Sequence, residues 1–407
     1  MFGLFKKRPR VRIPPSPTGL LHIGVARMAL FNFLFAQQGR GWTVLRFEDT
    51  DKERSKKEYE TDIEKGLSWL GITWNEKCRQ SERTDTYVKA LKKLLDKGAA
   101  YVSKEPSKDD PAIEVEVVRL RNPGRKIAFD DMLRGSIETD TSDLGDFVIA
   151  RSIEDPLYHL AVVVDDGEMD ITHIFRGEDI LPSTARQLLI QEALGYPRPM
   201  YAHLPLILAP DRSKMSKRHG ATGLAEYEAM GLIPEAMVNF LVFLGWNPGT
   251  KQELFTMEEL IKSFDVSKLH KSGAVFNMEK LLWFNREHLK RLSDKEFEKR
   301  LKEFAQGTLP DPLPRGLFSL IRERSSTLKE AAEMISSPEF SFFKGTPALD
   351  PQLLIPKAKG EAPAKEDVLA HLLSIEQFIQ NIHENSFSAD SIKNAVWDYA
   401  SQMGRGS

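Results

Sequence analysis

One cysteine, Cys78, is all that the 407 residues contain, which excludes a disulfide framework and any multi-cysteine zinc site. That scarcity reads as a reduced, cytosolic chain. No run of about 18 apolar residues occurs, so no segment reads as a membrane-spanning helix. Charge of one sign is lacking too: 57 Lys and Arg face 59 Asp and Glu, a formal net charge of -2. The balance gives no global sign of a nucleic-acid partner and leaves room for a local basic face. The basic start, Lys6, Lys7, Arg8, Arg10 and Arg12, has no apolar stretch behind it and does not read as a secretory signal. What is present is ordinary for a folded protein, 41% hydrophobic and 29% charged residues, and this excludes a mostly disordered chain. At roughly 100–200 residues per domain, the length predicts two to four domains.

The pattern along the chain predicts alternating strands and helices. Val11-Arg-Ile, a turn with Pro14, Pro15 and Pro17, and a dense apolar stretch over 22–36 read as strand, turn and helix. A β-rich stretch over 42–47 then ends in Glu48-Asp49-Thr50-Asp51, and amphipathic helices follow over 62–70 and 87–97. This alternation predicts a parallel α/β sheet, whose ligand crevice lies at the carboxyl ends of the strands. Short strand candidates over 113–120, 126–129, 136–139 and 147–151 predict an inserted, mostly β subdomain. The α/β pattern resumes over 158–164 and 171–175, with a helix over 183–194. From Ala225 the chain reads as helical, with Pro234 at a helix start. Residues 308–314 and 345–364 read as linkers, and Ser388 as the N-cap of a last helix with Ile392, Ala395, Val396 and Tyr399 on one face.

Two motifs carry chemistry. Pro15-Ser16-Pro17-Thr18-Gly19-Leu20-Leu21-His22-Ile23-Gly24 lies between a strand and a helix. Its glycines let backbone approach a flat or charged ligand, the helix start offers N–H groups to phosphate, and His22 can donate to an oxygen whose charge grows during displacement. By itself the motif is equally a Pro/Gly turn bearing a surface histidine. Lys214-Met215-Ser216-Lys217-Arg218-His219-Gly220 is a glycine-bounded loop of cations suited to closing on a polyphosphate, although an isolated basic loop is commonly solvated surface.

Together, and in that order, the two motifs resemble the paired signatures of class I aminoacyl-tRNA synthetases. The blocks between them narrow the resemblance to the glutamyl-tRNA synthetase family: Arg12-Ile-Pro-Pro-Ser-Pro-Thr-Gly, Arg46-Phe-Glu-Asp-Thr-Asp-Lys-Glu-Arg54, Arg79-Gln-Ser-Glu-Arg83, Tyr158-His-Leu-Ala-Val-Val-Val-Asp-Asp166, Thr172-His-Ile-Phe-Arg-Gly-Glu-Asp179 and Phe276-Asn-Met-Glu-Lys-Leu. The likeness covers most of residues 10–300 and thins beyond. It implies a Rossmann-type α/β class I catalytic domain over 10–100 and 151–205, interrupted by an acceptor-binding insertion over 101–150. A stem-contact region bearing the Lys-Met-Ser-Lys loop would occupy 206–293, and an all-α anticodon-binding region, incomplete at its end, 294–407.

A substrate with two carboxylates and one ammonium needs two cationic partners and one anionic partner, and guanidinium is the natural carboxylate fork. Arg12 and Arg176, each at a strand end, are placed for carboxylates, and Glu48 for the ammonium; the resemblance adds Ser16 and Tyr158 beside them. It also implies an ATP site at Thr18, Gly19, His22, Gly24, Asp179, Ile207 and Lys217, with His22, Lys214 and Lys217 as the catalytic set. The implied reaction is ATP-dependent activation of L-glutamate and transfer of the glutamyl group to the terminal ribose of tRNA(Glu), with tRNA(Gln) a second candidate acceptor. Mg²⁺ held through phosphates, no protein metal site, no zinc and no membrane are expected of a cytoplasmic monomer.

Departures from the family pattern are specific. Val25 stands where the class signature has a second histidine, Val162 stands where some relatives carry a substrate-binding asparagine, and the insertion is shorter between Tyr101 and Ile113. Cys78 lies upstream of the insertion, so the zinc site of some relatives is not expected there. Gly404-Arg-Gly-Ser407 resembles the turn before a further block of the anticodon-binding domain, so the chain reads either as a fragment or as carrying a short anticodon module. A truncated module would leave Ile392, Val396, Trp397 and Tyr399 as an uncovered apolar face. Three other readings stay open: a glutamyl-queuosine tRNA(Asp) synthetase-like modifying enzyme, a small-molecule nucleotidyltransferase, and a non-catalytic RNA-binding paralogue. The pocket reading predicts that Arg12→Ala and Glu48→Ala raise the glutamate requirement far more than the ATP requirement in adenylate-forming assays. Equal effects on the two would count against it.

Overall fold

β1 (Arg10–Ile13), buried from Val11 onward, runs into a proline turn and then α1 (Ile23–Gln38). Helix α1 is apolar nearly all round, and a helix of that kind must be covered on every side. The computed structural model describes residues 8–107, 110, 112–215, 223–309, 313, 315–337, 340, 364–383, 386 and 388–402. Next come β2 (Trp42–Phe47), α2 (Lys57–Trp69), β3 (Glu76–Arg79) and α3 (Thr84–Asp96). The region expected to be β-rich supplies β4 (Ala100–Pro106), β5 (Glu114–Leu120), β6 (Lys126–Asp131), β7 (Gly135–Asp140), β8 (Phe147–Ser152) and β9 (Asp155–Pro156). The α/β pattern then returns with α4 (Tyr158–Glu168), β10 (His173–Gly177), α5 (Thr184–Leu194), β11 (Met200–Leu204) and β12 (Ile207–Leu208).

Strands β1, β2 and β3 pair in parallel with β2 central, and β10 pairs in parallel with β11. The two groups meet where the Thr172 N–H donates to the Arg10 carbonyl at 2.9 Å, giving the spatial order β3-β2-β1-β10-β11 of a doubly wound sheet. The order reverses between β1 and β10, so the crevice of such a sheet opens beyond Ile13 and Gly177. Helix α1 is the cover over this point, lying against β1, β2 and β10 on one side.

The inserted strands do not form one body. β4, β5, β8 and β9 make an antiparallel sheet, whereas the β6–β7 hairpin joins the core sheet next to β11 through Asp131 and Tyr201. One end of the hairpin thereby reaches the interior.

After β12 come α6 (Leu224–Ala229), α7 (Pro234–Phe243), α8 (Met257–Ser263), β13 (Ala274–Val275) and α9 (Met278–Arg291). α7 and α8 cover the other side of α1, and β13 pairs with β12. Helix α7 begins with Pro234 at its first turn, as expected from the sequence, because proline lacks the N–H that would have no helical partner there. α10 (Asp294–Ala305), α11 (Phe318–Arg324) and α12 (Leu328–Ser336) complete the larger of two compact units, residues 1–336.

The smaller unit, 337–407, contains α13 (Lys365–Gln380) and α14 (Ala389–Gln402). Ser388 caps α14 as anticipated, its Oγ accepting from the Ser391 N–H at 3.1 Å. Tyr399 packs on Phe378 and bonds His371, while Val396 and Trp397 are exposed within this unit. The expected linker over 345–364 lies almost wholly outside the described residues, as does the expected turn at Gly404.

A charge network ties β2 to α4 under the crevice. Arg46, fully buried, donates to Asp166 at 2.8 Å and Glu48 at 2.9 Å and lies 3.8 Å from Asp165. Asp165 is held further by Arg83, Gln80 and Tyr87. Removing one member of such a buried network leaves its partners desolvated and unmatched, a cost of about 3–5 kcal/mol. Arg46→Met is accordingly expected to lower unfolding stability by that order in urea titration, with no resolvable loss for Arg54→Met, whose pair with Asp51 is exposed. Equal small losses would show that the network is not a structural requirement.

Candidate active site

A cleft of about 570 Å³ opens at the strand-order reversal. Its lining includes Arg12, Ser16, Thr18, Gly19, His22, Gly24, Glu48, Tyr158, Arg176, Asp179, Ile207 and Lys214. These residues come from segments as far apart as β1 and the loop after β12, and only the fold brings them together. Lys217 lies outside the described residues.

At the α1 start, His22 is the N-cap, and its Nδ1 accepts from the Gly24 N–H at 3.0 Å. That bond puts the ring proton of the neutral imidazole on Nε2. A Cβ built at Gly19 would meet nothing within 4 Å, so its absence widens the cleft itself. Gly177 serves differently: a Cβ there would sit 2.4 Å from Asp179 Oδ1, so any larger residue would make that carboxylate shift. Asp179 pairs with Lys214 at 3.2 Å, with both side chains largely in water. An ion pair that exposed is weak and readily exchanged for another partner.

The floor is charged and dry. Arg12 donates through Nε to Asp166 at 3.1 Å, and its buried Nη1 has no hydrogen-bond partner among the described residues. Arg12, Arg46 and Arg83 are matched by Glu48, Asp165 and Asp166. Arg176, only 4% exposed, donates to His203 Nε2 at 2.9 Å, Gln187 at 2.5 Å and Thr184 at 2.7 Å, and has no carboxylate partner among the described residues. Burial, with Arg12 nearby, pulls its pKa below the ordinary guanidinium value. A buried cation of this kind is costly until a ligand anion joins it.

Burial raises the Glu48 pKa above the usual carboxylate value, against the opposing pull of Arg46 and Arg12. The Tyr158 phenol is pushed up to about 12, by burial and then by Glu48, so it stays a neutral donor. The cleft thus offers two guanidiniums with spare donors, one carboxylate and one phenol at its base. At its mouth it has a helix N-terminus, an imidazole and a lysine. That set can bind an amino dicarboxylate below and an anionic, phosphate-bearing group above.

Several contributors were not singled out from the sequence. Arg27, buried in α1, donates to the Leu244 carbonyl at 2.6 Å and to that of Pro205, which fixes the segment before Ile207. Asp166 and Arg46 brace the floor, and Asp131 and His203 stand behind Arg176. A signal existed for two of them: Arg27 and Arg46 are lone charges inside otherwise apolar stretches. Val162 is buried and offers no polar side-chain atom.

Comparison with known proteins agrees with this geometry. The profile "tRNA synthetases class I (E and Q), catalytic domain" matches residues 9–109 and 107–283. A glutamate–tRNA ligase of Aquifex aeolicus is 46% identical over 310 residues, 68% of this chain and 66% of that one. The match therefore spans just under two thirds of that relative's length. A glutamate–tRNA ligase of Nitratidesulfovibrio vulgaris strain Hildenborough is 38% identical over 430 residues, 97% of this chain and 89% of that one. The crystal structure of a glutamate tRNA ligase from Elizabethkingia meningosepticum in complex with its amino acid superposes with a TM-score of 0.78 at 28% identity, covering 98% of this chain and 91% of that one.

The raised pKa of Glu48 sets a sign for ligand binding. An ammonium group needs Glu48 ionised, and a raised pKa loses the charge earlier as pH falls. Binding of L-glutamate in calorimetric titration is expected to weaken as pH falls, starting at a higher pH than that at which an ordinary exposed glutamate protonates. Affinity that falls only where an ordinary exposed carboxylate protonates would remove Glu48 as the ammonium partner.

Proposed function

The chain belongs to the class I tRNA synthetases of the E and Q group, and on that premise we propose that it is a glutamate–tRNA ligase. One observation carries the choice of substrate: among the described residues the buried Arg176 guanidinium lacks a carboxylate and Arg12 Nη1 lacks a hydrogen-bond partner, with Glu48 facing the same cleft. Glutamate brings two carboxylates and one ammonium, a net charge that offsets the one cation left over. A glutamine side chain would leave that cation buried and unmatched, which is a strong basis for rejection.

In this reading Arg12, Arg176, Ser16 and Tyr158 hold the amino acid, with Glu48 on the ammonium. Thr18, Gly19, Gly24, Asp179 and Ile207 line the ATP site. The α-carboxylate oxygen attacks the α-phosphorus, pyrophosphate leaves, and glutamyl-adenylate forms. A hydroxyl of the terminal ribose of tRNA(Glu) then attacks the acyl carbon and AMP leaves. His22 donates through Nε2 to phosphate oxygens as their charge grows, the α1 N-terminus faces the same oxygens, and Lys214 and Lys217 neutralise the departing pyrophosphate. Because the protein makes no covalent bond, positioning and charge account for the rate.

Magnesium, when bound, offsets charge on the triphosphate. It would be held by phosphate oxygens, since Mg²⁺ rarely needs an all-protein cage. The strands between β4 and β9 would meet the acceptor end of the tRNA, and the helices after α9 its lower parts. We place the activity in the cytoplasm of the cell, in a monomer. No helix among the described residues is long and apolar enough to cross a membrane. Helices α10 to α12, beyond the matched catalytic stretch, weigh against the queuosine-modifying alternative, which ends before such a tail.

Purified full-length protein with labelled glutamate, ATP, Mg²⁺ and total tRNA is expected to yield acid-precipitable glutamyl-tRNA. Labelled glutamine should yield none, and Lys217→Ala should abolish charging. Absence of product with the unaltered protein would reject the ligase reading, and charging of purified tRNA(Glu) and tRNA(Gln) in parallel separates one acceptor from two.

A further inference from the structure

Arg176 is not held by neighbours of its own strand. Its Nε donates to His203 Nε2 on β11, and its two Nη nitrogens donate to Gln187 and Thr184 on α5. Those bonds use three of the five guanidinium N–H groups and leave two for a ligand. Tyr201 lies beneath the guanidinium, 5.0 Å from carbon to ring centroid, so the group is fixed in plane as well as at its ends.

The histidine has a defined proton. An arginine Nε–H can only donate, so His203 Nε2 must be the bare acceptor and Nδ1 must carry the hydrogen. Nδ1 faces Asp131 Oδ2 at 2.6 Å. Asp131 itself has no freedom: Oδ2 also accepts from the His203 N–H at 3.0 Å, and Oδ1 accepts from the N–H groups of Leu133 and Arg134 at 2.9 and 3.0 Å. All four of its partners are donors. An asparagine amide at this position must turn its NH₂ toward two of them, and no rotation avoids the conflict. Asp131 and His203 are both fully buried at the side chain, so water cannot substitute for a lost bond.

Asp131 closes β6, in the hairpin that the insertion sends into the core sheet. Asp131 and His203 therefore stand behind the cleft and do not line it.

We propose that Asp131 and His203 are positioning residues for substrate selection: Asp131 fixes the His203 tautomer, and His203 Nε2 aims Arg176 at the side-chain carboxylate of the amino acid. The inference rests on the glutamate ligase reading above. Neither residue touches substrate, and both act through Arg176. Selection of an acid over an amide follows from the rigidity of this support, because a guanidinium free to swing could turn its charge elsewhere and tolerate a neutral side chain.

The test is tRNA-supported pyrophosphate exchange by full-length wild type, Asp131→Asn, His203→Ala and His203→Gln, with KM measured separately for glutamate and ATP. Glutamine is assayed as the competing amino acid. The His203→Gln variant would supply an amide oxygen near the position of Nε2 and serves as the conservative rescue. Expected are a rise of about tenfold or more in the glutamate KM for Asp131→Asn and His203→Ala, with the ATP KM within about twofold of wild type. The ratio of glutamate to glutamine kcat/KM should fall in both, and His203→Gln should recover most of the loss seen in His203→Ala. An unchanged glutamate KM in a folded Asp131→Asn or His203→Ala protein overturns the positioning role, as does a parallel rise in both KM values. Failure of His203→Gln to do better than His203→Ala overturns it as well, and remains informative if Asp131→Asn does not fold. Wild type without glutamate-dependent exchange is a different failure, which rejects the ligase reading and this inference with it.

Discussion

Charge buried at the meeting point of β1 and β10 is the constraint on which the rest depends. Three guanidiniums and three carboxylates sit there almost without water, and each is affordable only because the others are in place. Arg46 comes from β2, Asp165 and Asp166 from α4, Arg83 from the turn before α3, and Arg12 from β1. Their mutual need locks four segments into one floor. The hydrophobic packing of α1 supplies most of the burial, and the ion network supplies the register of what is buried. On this balanced floor, Arg176 is the exception, a cation whose hydrogen-bond partners among the described residues are all neutral acceptors. A site that is stable in its remaining charges and deficient by one anion has its ligand preference built in before any ligand arrives.

Much of this was legible in the residues because the chemistry lies in short contiguous blocks. The strand-turn-helix over Arg10 to Gln38 announces itself through a proline turn followed by a long apolar stretch, and His22 lies at the helix start where a capping residue belongs. The expected residues of the two chemical motifs and the intervening blocks line a single cleft, apart from Lys217, which falls outside the described residues. Elements with weaker patterns were harder to read. β3 is four residues, Glu-Lys-Cys-Arg, with no apolar alternation, and its pairing to β2 is a consequence of the sheet and not of local preference. The stretch from Tyr158 has apolar residues in succession with no helical period, since α4 is covered on several sides, and only its length of 11 residues marks it as a helix.

The supports behind the site were the least legible, for a physical reason. Asp131 and His203 are 72 residues apart, and their meeting depends on a hairpin of the insertion pairing with β11. In sequence, Asp131 is one more acidic residue in a polar loop and His203 one histidine in an apolar strand. Arg27 is similar: its two carbonyl partners, Pro205 and Leu244, lie far along the chain. A lone charge in an apolar segment signals that a partner exists, but the partner's identity is a property of tertiary structure.

The two ends of the cleft are built to different standards, and this follows from what each must do. At the base, Arg12, Arg176 and Glu48 are buried and bonded to groups that are themselves bonded, so none can move without leaving a desolvated charge. Recognition of a small amino acid requires that rigidity, because a difference of one oxygen against one nitrogen is read only by groups that cannot rearrange. At the mouth, the Lys214 and Asp179 pair is exposed, so trading partners there costs little. A triphosphate that must be gripped and then released as pyrophosphate suits such a weak, replaceable contact. The insertion's two sheets divide along the same line. The hairpin that is paired into the core sheet supports the rigid base through Asp131, while the antiparallel sheet of β4, β5, β8 and β9 shares no ladder with the core among the described residues and packs instead on α3 and α4, Val118, Leu120 and Ile149 lying in one hydrophobic cluster with Leu160 and Ala161.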